Sequence, residues 1–312
     1  MDRELSLREA YGETLVELGR ENPDIVVLDA DLSRSTMTLF FAEKFPGRFF
    51  DCGIAEQNMV SIAAGLAASG KIPFVSTFAV FVPGRCFDQV RMSIAQPKLN
   101  VKLVVTHSGI TVGEDGISHQ SIEDLSLVGS FPGFTVIVPA DAIETAQVVR
   151  AAAAHYGPFY IRLCRPKLPL VYDQSYRFVL GKAVMMKPGR DATIIAIGSM
   201  VKEALEAAEN LGREGIDCRV LNMPTLKPID EAAIIQAAAE TGVIVTAEEH
   251  LEHGGLGSAV ARVVARHKPV PMEFVAIKDT YAQSGKPAEL LERYGLTAKD
   301  IQRSVRSAIK RK

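Results

Sequence analysis

Short apolar runs alternate with longer segments of helical spacing, and the pattern occurs twice along this chain. Residues 8–22 place apolar side chains at helical intervals, and residues 24–30 (DIVVLDA) form a short apolar strand ending in acid. Residues 54–69 read as a helix rich in small residues, stopped by Gly70. Residues 74–77, 101–106, 135–139 and 158–163 read as further strands, with an Ala-rich helix over 141–155. Alternation of this kind predicts a mainly parallel sheet with helices on both faces, the α/β class. A break follows. Residues 167–187 carry prolines and aromatics without a period (KLPLVYDQSYRF) and read as a linker plus an edge strand. A second α/β pattern then begins, with strands over 192–198, 218–222, 243–247 and 272–277. Its helices cover 201–212, 231–241, 257–267 and 298–310. The expected organisation is a first domain over residues 1–166, a linker over 167–187 and a smaller α/β domain over 188–312.

Composition excludes several functions. An apolar fraction of 47% and a charged fraction of 23% are those of a soluble globular protein. A formal net charge of −2 argues against general binding to nucleic acid or to an anionic membrane surface. The N-terminal stretch MDRELSLREAYGETLVELG is charged and amphipathic, unlike a signal peptide. No apolar run approaches the roughly 18 to 20 residues of a membrane span. The four cysteines, Cys52, Cys86, Cys164 and Cys218, form no CxxC pair and read as reduced thiols of a cytoplasmic protein.

Two segments offer a place for a flat, basic heterocycle. GIAEQNM puts Glu56 at a helix start, where a first-turn acid also serves simply to complement the helix dipole. Buried among Ile54, Met59 and the AAGLAA run, its carboxyl would have a raised pKa and could share a proton with a ring nitrogen. STFAVFVPGRCFDQVR supplies Phe78 and Phe81, flanked by Phe74 and Phe87. Core packing accounts for two of these four, and Phe81 is the choice for stacking on a flat ring. No phosphate-and-metal motif accompanies the pair, so the chain reads as half of an active site.

The segment THSGITVGEDGISHQ follows a strand, at the carboxyl edge where α/β sheets place ligands. Its His107, Asp115 and His119 do not have metal-site spacing; acid–base work and binding of substrate hydroxyls suit them better. Arg8, Arg162 and Arg165 are candidates for an anion, and Arg162 reads as an ordinary surface salt bridge. Asp31 and the run 33–36 (SRST) follow another strand end, where they either cradle an anion or cap a helix. His250 and His253 (EEHLEHGG) read as a loop at the domain contact.

These segments, in this order, resemble the C-terminal half of transketolase, and the likeness covers nearly the whole chain. It runs through LREAYGETLVELG, DADLSRS, GIAEQNM, STFAVF, FDQVRMS, THSGITVGEDGISHQ and YIRLCRP, then EEHLEHGGLGSAV and TYAQSGKPAELLERYGLT. The resemblance implies a thiamine diphosphate pyrimidine-binding domain followed by the transketolase C-terminal domain. It implies that Glu56 bonds the aminopyrimidine, that Phe81 stacks on it, that Phe78 lines the pocket and that Asp31 lies near the cofactor. It implies a sugar-phosphate clamp of His107, Ser35, Arg8 and Arg165, with Asp115 on a substrate hydroxyl and His119 near the donor carbonyl. Gly84 stands where some members have an aromatic residue beside the pyrimidine.

Full-length members carry a further N-terminal domain whose GDG…N motif holds Mg²⁺ and the diphosphate. No GDG occurs here. The resemblance therefore implies a C-terminal subunit of a split transketolase. An N-terminal partner subunit would supply the Mg²⁺ ligands, and two copies of each chain would assemble around a dimer core. The implied reaction moves a two-carbon ketol unit between sugar phosphates, as in pentose phosphate metabolism. Three alternatives stay open: a β subunit of 2-oxoacid dehydrogenase or deoxyxylulose-phosphate synthase type, a non-catalytic homologue, and a ketolase for an unusual branched sugar phosphate.

Overall fold

The computed structural model describes residues 4–312. The first three residues of the charged N-terminal stretch lie outside the described part. The chain begins with β1 (Glu4–Leu5), α1 (Leu7–Glu21), β2 (Ile25–Asp29), α2 (Ser33–Thr36), α3 (Leu39–Lys44), β3 (Phe49–Asp51), α4 (Glu56–Ala68) and β4 (Ile72–Ser76). It continues through α5 (Phe87–Gln89), flanked by π-type turns, β5 (Lys102–Val105), α6 (Asp124–Gly129), β6 (Thr135–Ile137), α7 (Ala142–Ala154), β7 (Phe159–Arg162) and β8 (Leu168–Pro169). Six of these strands form a parallel sheet in the order β6-β7-β5-β4-β2-β3. Period-two alternation gives the sheet two apolar faces. Ile25 and Val27 pack with α1 and α7, whereas Val26 and Leu28 pack with α4.

The second half contains β9 (Val184–Lys187), β10 (Ala192–Ala196), α8 (Met200–Arg213), β11 (Cys218–Asn222), β12 (Thr225–Lys227), α9 (Glu231–Thr241), β13 (Ile244–Leu251), α10 (Leu256–His267), β14 (Met272–Ile277), α11 (Pro287–Arg293) and α12 (Ala298–Ile309). Its sheet has the order β14-β13-β10-β11-β9, parallel except for β9 at one edge. One strand crosses over. β12 pairs antiparallel with β6 and becomes the seventh strand of the first sheet. The two halves also share core: one cluster runs from Leu28, Met59 and Val105 to Ile195, Leu221 and Val260.

Three of the expected helices have side-chain caps that explain where they start. Ser6 caps α1 through the Glu9 amide, Asp141 caps α7 through Glu144, and Asp230 caps α9 through Ala233. His250 corrects the expectation of a loop. β13 runs on to Leu251 because Leu251 pairs with Ile277 past an irregularity in the ladder, so His250 is a fully buried strand residue. His253 is exposed beyond the strand end.

Candidate active site

The carboxyl ends of β2, β4 and β5 and the start of α4 converge at one edge of the first sheet, where an isolated bridge joins Phe78 to Thr106. Glu56 is the first residue of α4 and is only 2% exposed. Its surroundings differ from the apolar isolation expected. Met59 is buried, but Ile54 is 79% exposed and gives no cover. Arg85 instead donates from Nη1 to Glu56 Oε2 at 2.7 Å. The same guanidinium lies 4.4 Å from the Phe81 ring centroid. A flat, delocalised cation thus already touches a carboxylate and a ring, the two contacts that recognise a flat basic heterocycle. The donor set fits the aminopyrimidine of thiamine diphosphate on that ground.

Beside it stand four rings. Phe78 is 8% exposed and stacks on His107, with centroids 3.8 Å apart and planes at 27°. Phe78 also stacks on Phe81 at 5.9 Å. His119 meets Phe81 edge-on at 5.6 Å and Phe78 at 6.1 Å. His107, the second residue after β5, has φ 58°, a left-handed conformation that side chains other than glycine seldom adopt. Its Nδ1 is 2.8 Å from Thr106 Oγ1. Burial lowers the His107 pKa to about 3, with Arg8, Arg165 and His119 adding repulsion, so the ring is neutral at physiological pH.

The cationic side of the site is one chain of contacts. Arg8 donates from Nη1 to the Ser35 carbonyl at 2.7 Å and from Nη2 to the Arg165 carbonyl at 3.1 Å. Arg165 donates to the Val112 carbonyl and lies 3.6 Å from Glu114 and 3.9 Å from Asp115. Ser35 enters this chain through its backbone oxygen. The choice left open for the 33–36 run has a third answer: Thr36 and Thr38 donate to Asp29 Oδ2 at 2.7 and 2.9 Å, and the Leu32 amide to Asp29 Oδ1 at 2.6 Å. Asp29 is fully buried, and burial raises its carboxyl above the usual range. Asp31 stands apart. It is exposed, has φ 61°, and its amide donates to Asp51 Oδ1 at 3.0 Å. Its carboxylate belongs to none of the contacts just described.

Arg162 is a correction. It is 4% exposed and belongs to no surface pair. Its Nε donates to Asp124 Oδ2 at 2.8 Å, and the Tyr160 hydroxyl donates to the same oxygen at 2.7 Å. Nη2 donates to the Ser121 carbonyl at 3.0 Å and the Glu249 carbonyl at 3.1 Å, so this guanidinium joins the two halves of the chain. Three neighbours of the site escaped the sequence reading. Arg85 had a signal, a cation four residues beyond Phe81. Asp29 was visible only as the acid closing a strand. Glu249 had none, since it meets Thr111 across 138 residues.

Residues 3–171 match the family described as transketolase, pyrimidine binding domain, and residues 181–301 match transketolase, C-terminal domain. A chain provisionally named transketolase C-terminal section, from Methanocaldococcus jannaschii, is 45% identical over 98% of this chain and 96% of its own. The 6-deoxy-6-sulfo-D-fructose transketolase subunit SqwH of Clostridium sp. is 43% identical over 98% of this chain and 95% of its own. A solved structure described as a split gene transketolase, inactive beta4 tetramer, superposes with a TM-score of 0.93 at 52% identity, covering 99% of each chain. Among the described residues, no helix is long and apolar enough to cross a membrane.

Proposed function

We propose, from the premise that this chain belongs to the transketolase family, that it is the C-terminal subunit of a split transketolase. It works with a separate N-terminal subunit and moves a two-carbon ketol unit from a ketose phosphate to an aldose phosphate. The two family domains imply dependence on thiamine diphosphate in general. The observation that carries the reading is the grouping of buried Glu56 and Phe81, bound to one flat cation, beside the His107–His119 ring cluster and the Arg8–Arg165 chain.

In this reading Glu56, Phe81 and Phe78 hold the pyrimidine end of thiamine diphosphate, the family likeness alone puts Asp31 near it, and the diphosphate and Mg²⁺ are held by the partner chain. Bound there, thiamine diphosphate supplies the electron sink for carbon–carbon cleavage. Glu56 would hydrogen-bond a ring nitrogen from a buried position where little water competes. His107 stays neutral, so its ring can accept a hydrogen bond from a sugar hydroxyl or donate one to it. His119 faces the same rings and serves the carbonyl end of the donor, while Asp115 binds a hydroxyl. Arg8 and Arg165, with the Ser35 segment, anchor the phosphate away from the reacting carbon, where its binding orients the sugar.

The test is reconstitution. The chain is mixed with a GDG-bearing partner chain, thiamine diphosphate and Mg²⁺, and assayed with xylulose 5-phosphate plus ribose 5-phosphate, and separately with pyruvate. Ketol transfer is expected only with the sugar phosphates. Turnover of pyruvate alone would move the assignment to the 2-oxoacid class. The likeness to a subunit for a sulfo-sugar makes 6-deoxy-6-sulfo-D-fructose a required member of the donor panel.

A further inference from the structure

The loop after β5 carries His107, Asp115 and His119, and the second half of the chain clasps it at three places. The firmest clasp is Glu249 in β13, which is 3% exposed. Its Oε1 accepts the Thr111 amide at 2.7 Å, and its Oε2 accepts the Ser199 hydroxyl at 2.9 Å. Gly109 has φ +74°, and a Cβ there would run into the Glu249 carboxylate. The backbone therefore approaches this acid as closely as only glycine permits. The second clasp is at Gln120, whose Nε2 donates to the Gln283 carbonyl at 3.0 Å. Gly116 seats against the Ser284 hydroxyl in the same way that Gly109 seats against Glu249. The third is at Gly113, against the Gly285 carbonyl and the Pro287 ring at the head of α11.

Of these clasps only Glu249 carries charge. Arg162 answers it across the seam by bonding the Glu249 carbonyl and the Ser121 carbonyl just past the loop. A loop whose Gly109, Gly113 and Gly116 all have positive φ has many conformations to lose, so an outside anchor decides which one it keeps. Thr111 sits midway between His107 and Asp115. Fixing its amide fixes the spacing of the groups on either side.

We infer that Glu249 is a positioning residue: from the second domain it fixes the backbone of residues 109–111, and so sets the geometry in which His107, Asp115 and His119 meet the sugar phosphate. The inference rests on reading this loop as the substrate-binding one. It gives the second domain a part in the reaction, although none of its own side chains need touch substrate.

The experiment compares Glu249→Ala, Glu249→Gln and Ser199→Ala in the full chain assembled with its partner. Hydrogen exchange is measured without substrate. In Glu249→Ala the Thr111 amide exchanges ~10-fold faster or more, while amides of β10 and β11 keep their rates. Glu249→Gln keeps an oxygen for the Thr111 amide and restores most of the protection. Ser199→Ala, which frees only one carboxylate oxygen, gives a smaller effect in the same direction, and it reports even if Glu249→Ala fails to fold. In kinetics, Glu249→Ala raises KM for the ketose phosphate ~10-fold or more, with kcat less affected and the thiamine diphosphate Kd unmoved. Unchanged exchange at Thr111 in both Glu249→Ala and Ser199→Ala overturns the inference, and so does a loss of kcat at unaltered KM. Absence of ketol transfer by the unmutated assembly overturns the proposed function instead, because the exchange measurement reads the loop without any substrate.

Discussion

Glu56 and His107 are both buried, yet their surroundings oppose one another: Glu56 faces a cation, and His107 is hemmed in by cations. Replacing Glu56 by Gln keeps the shape but removes the charge. Turnover in the reconstituted enzyme is expected to fall by ~10³-fold, with assembly unchanged by size-exclusion chromatography. Near-normal rates would take Glu56 out of the mechanism. The histidines make a pH prediction. Burial depresses His107 to about 3 and His250 to about 4. An unfolded chain titrates these rings near 6.5, so below that pH it binds more protons than the folded one. Stability therefore falls as acid is added from about pH 6.5 downward. Urea unfolding at pH 7 and pH 5 should show the loss, and His107→Gln should reduce the difference. At this scale the sequence disclosed which residues gather but not what each would feel. Nothing near Glu56 in the sequence pairs it with Arg85, and nothing marks Arg162 as buried, because both depend on contacts between distant segments.

Elements of ten or more residues were legible from periodicity and caps, and their observed ends differ from expectation by a residue or two. The short ones were not. α2, α3 and β3 span four, six and three residues, too few for a period to show. β12 has three residues and owes its existence to β6, far back in the chain. The seam between the two halves is crossed by Arg162, which buried Asp124 neutralises and which donates to the Glu249 carbonyl, as well as by apolar core. Asp124→Ala is expected to cost about 3–5 kcal/mol, since it strands a buried guanidinium. Replacing both partners by apolar residues should cost less. Urea midpoints of the single and double variants provide the check.

At the scale of the whole molecule, the chain leaves apolar residues uncovered on the helix that begins with Glu56 and on the strand and loop before it. Ile62 on α4 is 38% exposed, Ile54 just before that helix 79%, and Phe50 on β3 39%. The proposed partner would cover this surface. Ile54→Asp is expected to prevent co-purification with the partner while leaving the chain's own unfolding free energy within about 0.5 kcal/mol. In calorimetry the isolated chain should bind thiamine diphosphate weakly and without dependence on Mg²⁺. Tight, Mg²⁺-dependent binding by the lone chain would mean that it carries the diphosphate site itself.

The crossing strand has a consequence for how the protein is made. A ribosome must release most of the chain before β6 receives its neighbour, so the first sheet waits with an open edge during synthesis. An expression clone cut between the halves would leave that edge unpaired for good, and such edges recruit foreign strands. Synthesis as one polypeptide keeps the covering strand tethered to the edge it has to cover.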